Sequence, residues 1–148
     1  MPLHPDWKEF LQLLNSHSVE YLVVGAHARA LHGMPRYTRD IDVFVRASPG
    51  NAAKLERVLR AFGFASTGVT AEDFLAPYQV IQLGVEPYRI DLLTSISGVE
   101  FEDAWSDRVE GELDGVPVAF LSVRAFRKNK LASGRPKDLA DLDELLAE

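Results

Sequence analysis

Apolar residues recur along this chain with two periods, and the switches between them outline its elements. Trp7, Phe10, Leu11 and Leu14 fall at i, i+3, i+4 and i+7, one face of a helix predicted over residues 6–16. Asp6 is its expected cap, with Glu9 three residues on as a near capping box. Residues 20–24, EYLVV, are short, β-prone and almost wholly apolar, a buried strand. Gly25 ends it, residues 26–31 form one or two helical turns, and Gly33 suits a helix C-terminal cap. Residues 34–38 read as a loop, because Pro35 disfavours helix at the residue before it. The next segment, DIDVFV at 40–45, alternates. In an extended strand Asp40 and Asp42 project from one face and Ile41, Val43 and Val45 from the other.

Ser48-Pro49 is a helix start, a cap residue followed by proline in the first turn. Leu55, Val58, Leu59 and Phe62 make its apolar stripe, Gly63 closes it, and Lys54, Arg57 and Arg60 form a solvated face. Residues 64–77 are poorly patterned and are expected to be a strand edge plus a mobile loop. Residues 78–83 and 87–93 form a hairpin around Gly84-Val85-Glu86. A short helix follows at 102–107, with Phe101 and Trp105 packing. A second hairpin spans 109–120 around Asp114-Gly115, with Pro117 marking an edge strand. Ser122 caps a helix running to about Ser133. Gly134-Arg135-Pro136 breaks the chain before a last helix whose Leu139, Leu142, Leu145 and Leu146 face inward.

Composition narrows the class. At 148 residues, 47% hydrophobic and 26% charged, the chain is expected to be one domain, 1–148, of an ordinary globular protein. The net charge of −6 argues against affinity for nucleic acid over the whole surface, though not against a local basic site. With no cysteine, disulfides, thiolate zinc sites and cysteine nucleophiles are excluded. MPLHPDWKEF lacks the basic and apolar regions of a signal peptide. No apolar run approaches the roughly 18 residues of a membrane span, so no membrane association is expected and the default location is the cytoplasm.

The chemistry concentrates in acids. Asp40 and Asp42 repel each other unless a cation lies between them, and oxygen ligands of this kind suit Mg²⁺. In YRIDLLT, Asp91 is a third strand carboxylate among apolar neighbours, sharing a face with Arg89 and Leu93. Such an acid is costly to bury unless paired or bound to metal. A salt bridge to Arg89 or Arg36 accounts for it as well as a metal does. Three carboxylates from two strands can hold two Mg²⁺ ions that clamp the oxygens of an in-line phosphoryl displacement. Gly25, where a strand turns into a helix, offers an anion site at the helix start. Arg124, Arg127, Lys128, Lys130, Arg135 and Lys137 fall in a stretch without an acid. It is either a solvated face or a clamp for polyphosphate or a nucleic-acid backbone. His27 reads as a surface or capped core histidine. Arg36 can pair with Asp40 or with a substrate phosphate.

Gly25-Ala26-x-Ala28, His32-Gly33, Arg36-x-Thr38-x-Asp40-x-Asp42, Arg89-Ile90-Asp91-Leu92-Leu93 and Lys137-Asp138-Leu139-x-Asp141 together resemble a minimal nucleotidyltransferase of the DNA polymerase beta superfamily. The small prokaryotic proteins grouped with MNT-type antitoxins and AbiEii-type toxins are the nearest in pattern. The resemblance implies an α/β fold, a mixed sheet with helices mainly on one face, whose open face carries Asp40, Asp42 and Asp91. It implies that Asp40 and Asp42 bind Mg²⁺ and that Asp91 is a third ligand that helps activate the incoming hydroxyl. It places nucleotide phosphates near Gly25 and Ala26, with Arg36, Thr38, Lys130 and Lys137 as further nucleotide contacts, and His32 orienting the loop. The chain departs from the family where Gly-Ser or Gly-Gly is usual: Ala26 brings no hydroxyl to a phosphate.

The implied activity is Mg²⁺-dependent transfer of a nucleoside monophosphate from an NTP to a hydroxyl of a protein or RNA acceptor. The Gly25-Ala26 departure and the short chain favour an alternative. In it the chain is a catalytically weak binding module of the same fold, one half of a toxin–antitoxin-like pair completed by a partner protein.

Overall fold

The computed structural model describes residues 3–25, 40–64, 67–85, 88–137 and 139–140. Helix α1, Pro5–Ser16, buries Trp7, Phe10, Leu11 and Leu14, the predicted stripe. Its cap is His4 rather than Asp6: the His4 Nδ1 accepts from the Asp6 N–H at 3.2 Å. Pro5 occupies the first helical position, where a missing N–H costs nothing. That moves the cap one residue back and leaves Asp6 in the first turn, where its charge favours the helix dipole.

Strand β1, Tyr21–Val24, is wholly buried. Strand β2, Asp40–Val45, runs antiparallel to it, with Val24 opposite Asp42. Helix α2, Pro49–Ala61, is capped by the Ser48 side chain on the Asn51 N–H and buries Leu55, Val58 and Leu59. Its C-terminal neighbour Phe62 packs edge-on against Phe10 of α1. Strands β3, Val80–Leu83, and β4, Arg89–Leu93, pair antiparallel, and β4 lies parallel to β2. Helix α3, Phe101–Ser106, precedes the hairpin of β5, Val109–Leu113, and β6, Val116–Phe120. Both turn residues, Asp114 and Gly115, have positive φ, as a tight hairpin requires. Helix α4, Val123–Ser133, starts on the Ser122 cap and ends at Gly134 in the left-handed region. The described strands form one mixed sheet in the order β3-β4-β2-β1-β6-β5. Ile41, Val43 and Val45 are buried on one face. On the other, Phe44 packs edge-on against Phe101 of α3, so the acid face is covered at one end.

Three further expectations are corrected. The described part of 64–77 holds no strand but a 3-10 turn, Ala71–Phe74, that buries Phe74 fully. Asp73 Oδ2 accepts from the Thr70 N–H at 2.8 Å, a Thr-x-x-Asp box that nucleates the turn. Pro117 does not mark an edge strand, because β6 lies between β1 and β5. Proline is tolerated there since β1 meets β6 only near Phe120 and leaves no ladder partner beside Pro117. Leu139 is 41% exposed rather than inward-facing; Leu142, Leu145 and Leu146 lie outside the described residues. Among the described residues no helix is long and apolar enough to cross a membrane.

Candidate metal and nucleotide site

Register brings the acids together. In the parallel pair β2–β4, Asp42 stands opposite Asp91 and Asp40 opposite Arg89. Directly opposite residues share a face, so all four side chains project from the same side of the sheet. One carboxylate oxygen from each of Asp40, Asp42 and Asp91 lies within 4.8 Å of the others. Asp91 is 7% exposed, while Asp40 and Asp42 are half-buried.

Arg89 threads this cluster. Its Nε donates to Asp91 Oδ1 at 2.8 Å, and its Nη2 donates to Asp91 Oδ2 and to Asp40 Oδ2, each at 3.0 Å. Of the two readings of Asp91, the ion pair is therefore present, and it coexists with a constellation that fits a metal. Asp42 takes no part in these Arg89 bonds. Burial pushes its carboxyl up from 3.8 to about 7, helped by the charges of Asp40 and Asp91 and a hydrogen bond to Asp91, with Arg89 opposing. A carboxyl–carboxyl hydrogen bond needs a proton on one partner. A divalent cation replaces that proton and removes the repulsion, and an all-oxygen donor set suits Mg²⁺.

Gly25 follows β1 and faces Asp42. Its φ is +71°, and a Cβ there would lie 2.6 Å from Asp42 Oδ2. Only glycine combines this conformation with so close an approach to a carboxylate. Gly25 and Asp42 line a cleft of about 630 Å³ together with Tyr78, Ser97, Lys130 and Arg135. Its helical wall is fixed at two points. Asn129 Nδ2 donates to the Ser97 carbonyl at 3.0 Å, and Gly98 packs against Ala132 where a Cβ would come within 2.4 Å of the alanine methyl. Lys130, in the last turn of α4, lies with Nζ 5.3 Å from the Phe126 ring centroid.

Of the residues expected at the site, Asp40, Asp42, Asp91, Gly25 and Lys130 converge on this region. Lys137 is exposed and is not among the described lining residues. Ala26, His27, His32, Arg36 and Thr38 lie outside the described residues. Arg89 was expected only as an ion-pair partner of Asp91 and Arg135 only within the basic stretch, and Tyr78 was not expected at the site. The Arg-x-Asp alternation of β4 was a signal for Arg89, since it puts the guanidinium and Asp91 on one face. The basic stretch was a weaker signal for Arg135, and nothing local marks Tyr78.

Solved structures share this architecture. A candidate nucleotidyltransferase from Thermotoga maritima aligns with a TM-score of 0.60 at 17% identity, over 95% of this chain and 90% of its own. An antigenic nucleotidyltransferase-like protein from Paracoccidioides brasiliensis aligns with a TM-score of 0.54 at 20% identity, over 99% of this chain and 78% of its own. No family model matches the chain, and no curated protein does. The fold is α/β, a mixed six-stranded sheet with helices, of nucleotidyltransferase-like architecture.

Proposed function

We propose that this chain is a divalent-metal-dependent nucleotidyltransferase that moves a nucleoside monophosphate from an NTP to a hydroxyl and releases pyrophosphate. The observation that carries the reading is the convergence of Asp40, Asp42 and Asp91 within 4.8 Å, with Asp42 on a cleft that Lys130 and Arg135 also line. Asp40, Asp42 and Asp91 would hold Mg²⁺, which when bound neutralises charge on the phosphates. Asp91, clamped by Arg89, orients the incoming hydroxyl. Gly25 lets the Asp42 carboxylate sit close against the end of β1, and Lys130 supplies positive charge to the phosphates. Phosphoryl transfer asks for little beyond such positioning and charge stabilisation. In this reading the chain acts as one domain in the cytoplasm, belongs with the MNT-type and AbiEii-type proteins, and takes a protein side chain or an RNA 3′ end as acceptor.

Titration of Mg²⁺ and NTP against the wild type and Asp42→Asn tests it. Tight binding by the wild type and at least tenfold loss in the variant are expected; equal binding by both rejects the metal role.

A second reading rests on Arg89. A guanidinium already bonded to two of the three acids supplies a built-in counter-charge, which favours a catalytically weak module acting through a partner protein. Incubation with labelled NTPs and cell extract separates the two. A labelled product lost in Asp40→Asn supports the enzyme, and stable co-purification of a partner without labelling supports the module.

A further inference from the structure

One residue of the cleft has no part in the acid chemistry. Tyr78 lines it with Asp42, Gly25 and Lys130, yet is 85% exposed. Its φ is +58°, a left-handed conformation that is unfavourable for a residue with a Cβ. The surroundings impose it. The Tyr78 N–H donates to Ser95 Oγ at 3.1 Å, and the Gln79 N–H donates to Thr94 Oγ1 at 2.9 Å. The Thr94 hydroxyl, on a buried side chain, donates in turn to the Ala76 carbonyl at 2.8 Å. Packing gains little from a large ring so exposed, and the backbone is strained to present it.

Register gives its place relative to the acids. The β3–β4 ladder ends at Val80 opposite Leu93, and beyond it the Tyr78 N–H bonds the hydroxyl of Ser95, four residues along the chain from Asp91. That is at most about 13 Å, the span of four extended residues, within the length of a nucleoside triphosphate. The cleft volume of about 630 Å³ is that of a small-molecule site.

We propose that Tyr78 is the platform on which the nucleobase of the bound nucleotide stacks, an inference that rests on the metal–nucleotide reading above. A ring offers a base its π-face and does not read its hydrogen-bonding edges. The subsite therefore takes purine and pyrimidine triphosphates alike, with modest preference among them.

The test compares Mg²⁺-NTP with Mg²⁺-tripolyphosphate, which has the phosphates but no base. The variants are Tyr78→Gly, which relieves the backbone and removes the ring, and Tyr78→Trp, which keeps a stacking face. Wild type is expected to bind NTP about tenfold or more tightly than tripolyphosphate, the size of one stacking contact. Tyr78→Gly brings NTP down to the tripolyphosphate level, with a melting temperature equal to or above wild type. Tyr78→Trp retains the preference, and its added emission responds to NTP but not to tripolyphosphate. Unchanged NTP binding in Tyr78→Gly overturns the proposal. So does equal loss of both ligands with a lowered melting temperature, which marks a structural role. Equal binding of both ligands by the wild type overturns stacking and leaves the metal site standing. Binding of neither removes the metal–nucleotide reading and this inference with it.

Discussion

Asp42 Oδ2 lies 2.6 Å from the point where a Cβ on Gly25 would sit. The strand-ending glycine and the acid are thus two halves of one arrangement. Gly25→Ala forces a left-handed alanine against a carboxylate that burial and neighbouring acids already crowd. The two costs sum to roughly 2–4 kcal/mol of stability. Asp42 must also turn away from Asp40 and Asp91. A lowered melting temperature together with weakened Mg²⁺ binding is expected, and native Mg²⁺ affinity in a destabilised variant would show that the acid does not depend on the glycine.

Arg89 bonds to both Asp40 and Asp91, so it is a cation that helps three acids stand together without metal. Replacing it with glutamine removes that counter-charge. Its side chain is 24% exposed, so the loss falls below that of a fully buried pair, at roughly 2–3 kcal/mol. A divalent ion then repairs more in the variant than in the wild type. Thermal unfolding with and without Mg²⁺ checks this. The expected result is a larger metal-induced rise in melting temperature for Arg89→Gln than for the wild type, and an equal rise would separate Arg89 from the metal cluster.

The part of this site that the chain spells locally is the part that alternation controls. Asp-Ile-Asp on one strand and Arg-Ile-Asp on another assign each side chain a face without any tertiary knowledge. That Asp42 meets Asp91 was not legible in the same way. It depends on the register of a parallel pair whose strands are joined through α2 and a 3-10 turn, and no local period encodes that alignment. Arg36 was as good a candidate as Arg89 for the same reason, since both are near an aspartate in sequence; Arg89 does pair with Asp91, and Arg36 lies outside the described residues. The remaining misses are also tertiary. Phe74 is held by a single polar box beneath a segment with no period, and Pro117 is accommodated because a neighbouring strand stops short. The His4 cap, by contrast, was legible: Pro5 at the first helical position was the overlooked sign.

Asn51 locks the far end of the acid strand. The Glu20 N–H donates to its Oδ1 at 2.8 Å, and its Nδ2 donates to the Glu20 and Arg46 carbonyls at 3.0 and 2.9 Å. It is buried, so Asn51→Leu removes three hydrogen bonds at the join of β1, β2 and α2, and the Glu20 carbonyl alone keeps another partner, the Arg46 N–H at 3.3 Å. Each loss is worth on the order of 1 kcal/mol, about 3 kcal/mol together. Chemical denaturation should show this drop with Mg²⁺ affinity changed less than twofold, because the acids lie at the opposite end of β2. A large change in affinity would mean that strand position is transmitted along β2 to the site.

The raised Asp42 carboxyl makes stability depend on pH in a direction opposite to that of an ordinary paired acid. Its value rises from 3.8 to about 7 on folding, so between these the folded chain binds a proton that the unfolded chain has released. The stabilisation is fully present below about pH 4 and is lost as pH climbs through about 7. Its upper bound is about 4 kcal/mol, from three pH units at about 1.4 kcal/mol each. Metal-free protein is therefore expected to lose stability at this site between pH 4 and 7. Asp42→Asn cannot titrate and should lack this component, so the difference between the two proteins isolates it from all other groups. Saturating Mg²⁺ at pH 8 should restore the wild type and leave the variant unmoved. Parallel stability profiles for wild type and Asp42→Asn across pH 4 to 8 would show that the Asp42 carboxyl titrates alike in the folded and unfolded chain, and that the charges around it are already balanced without a metal.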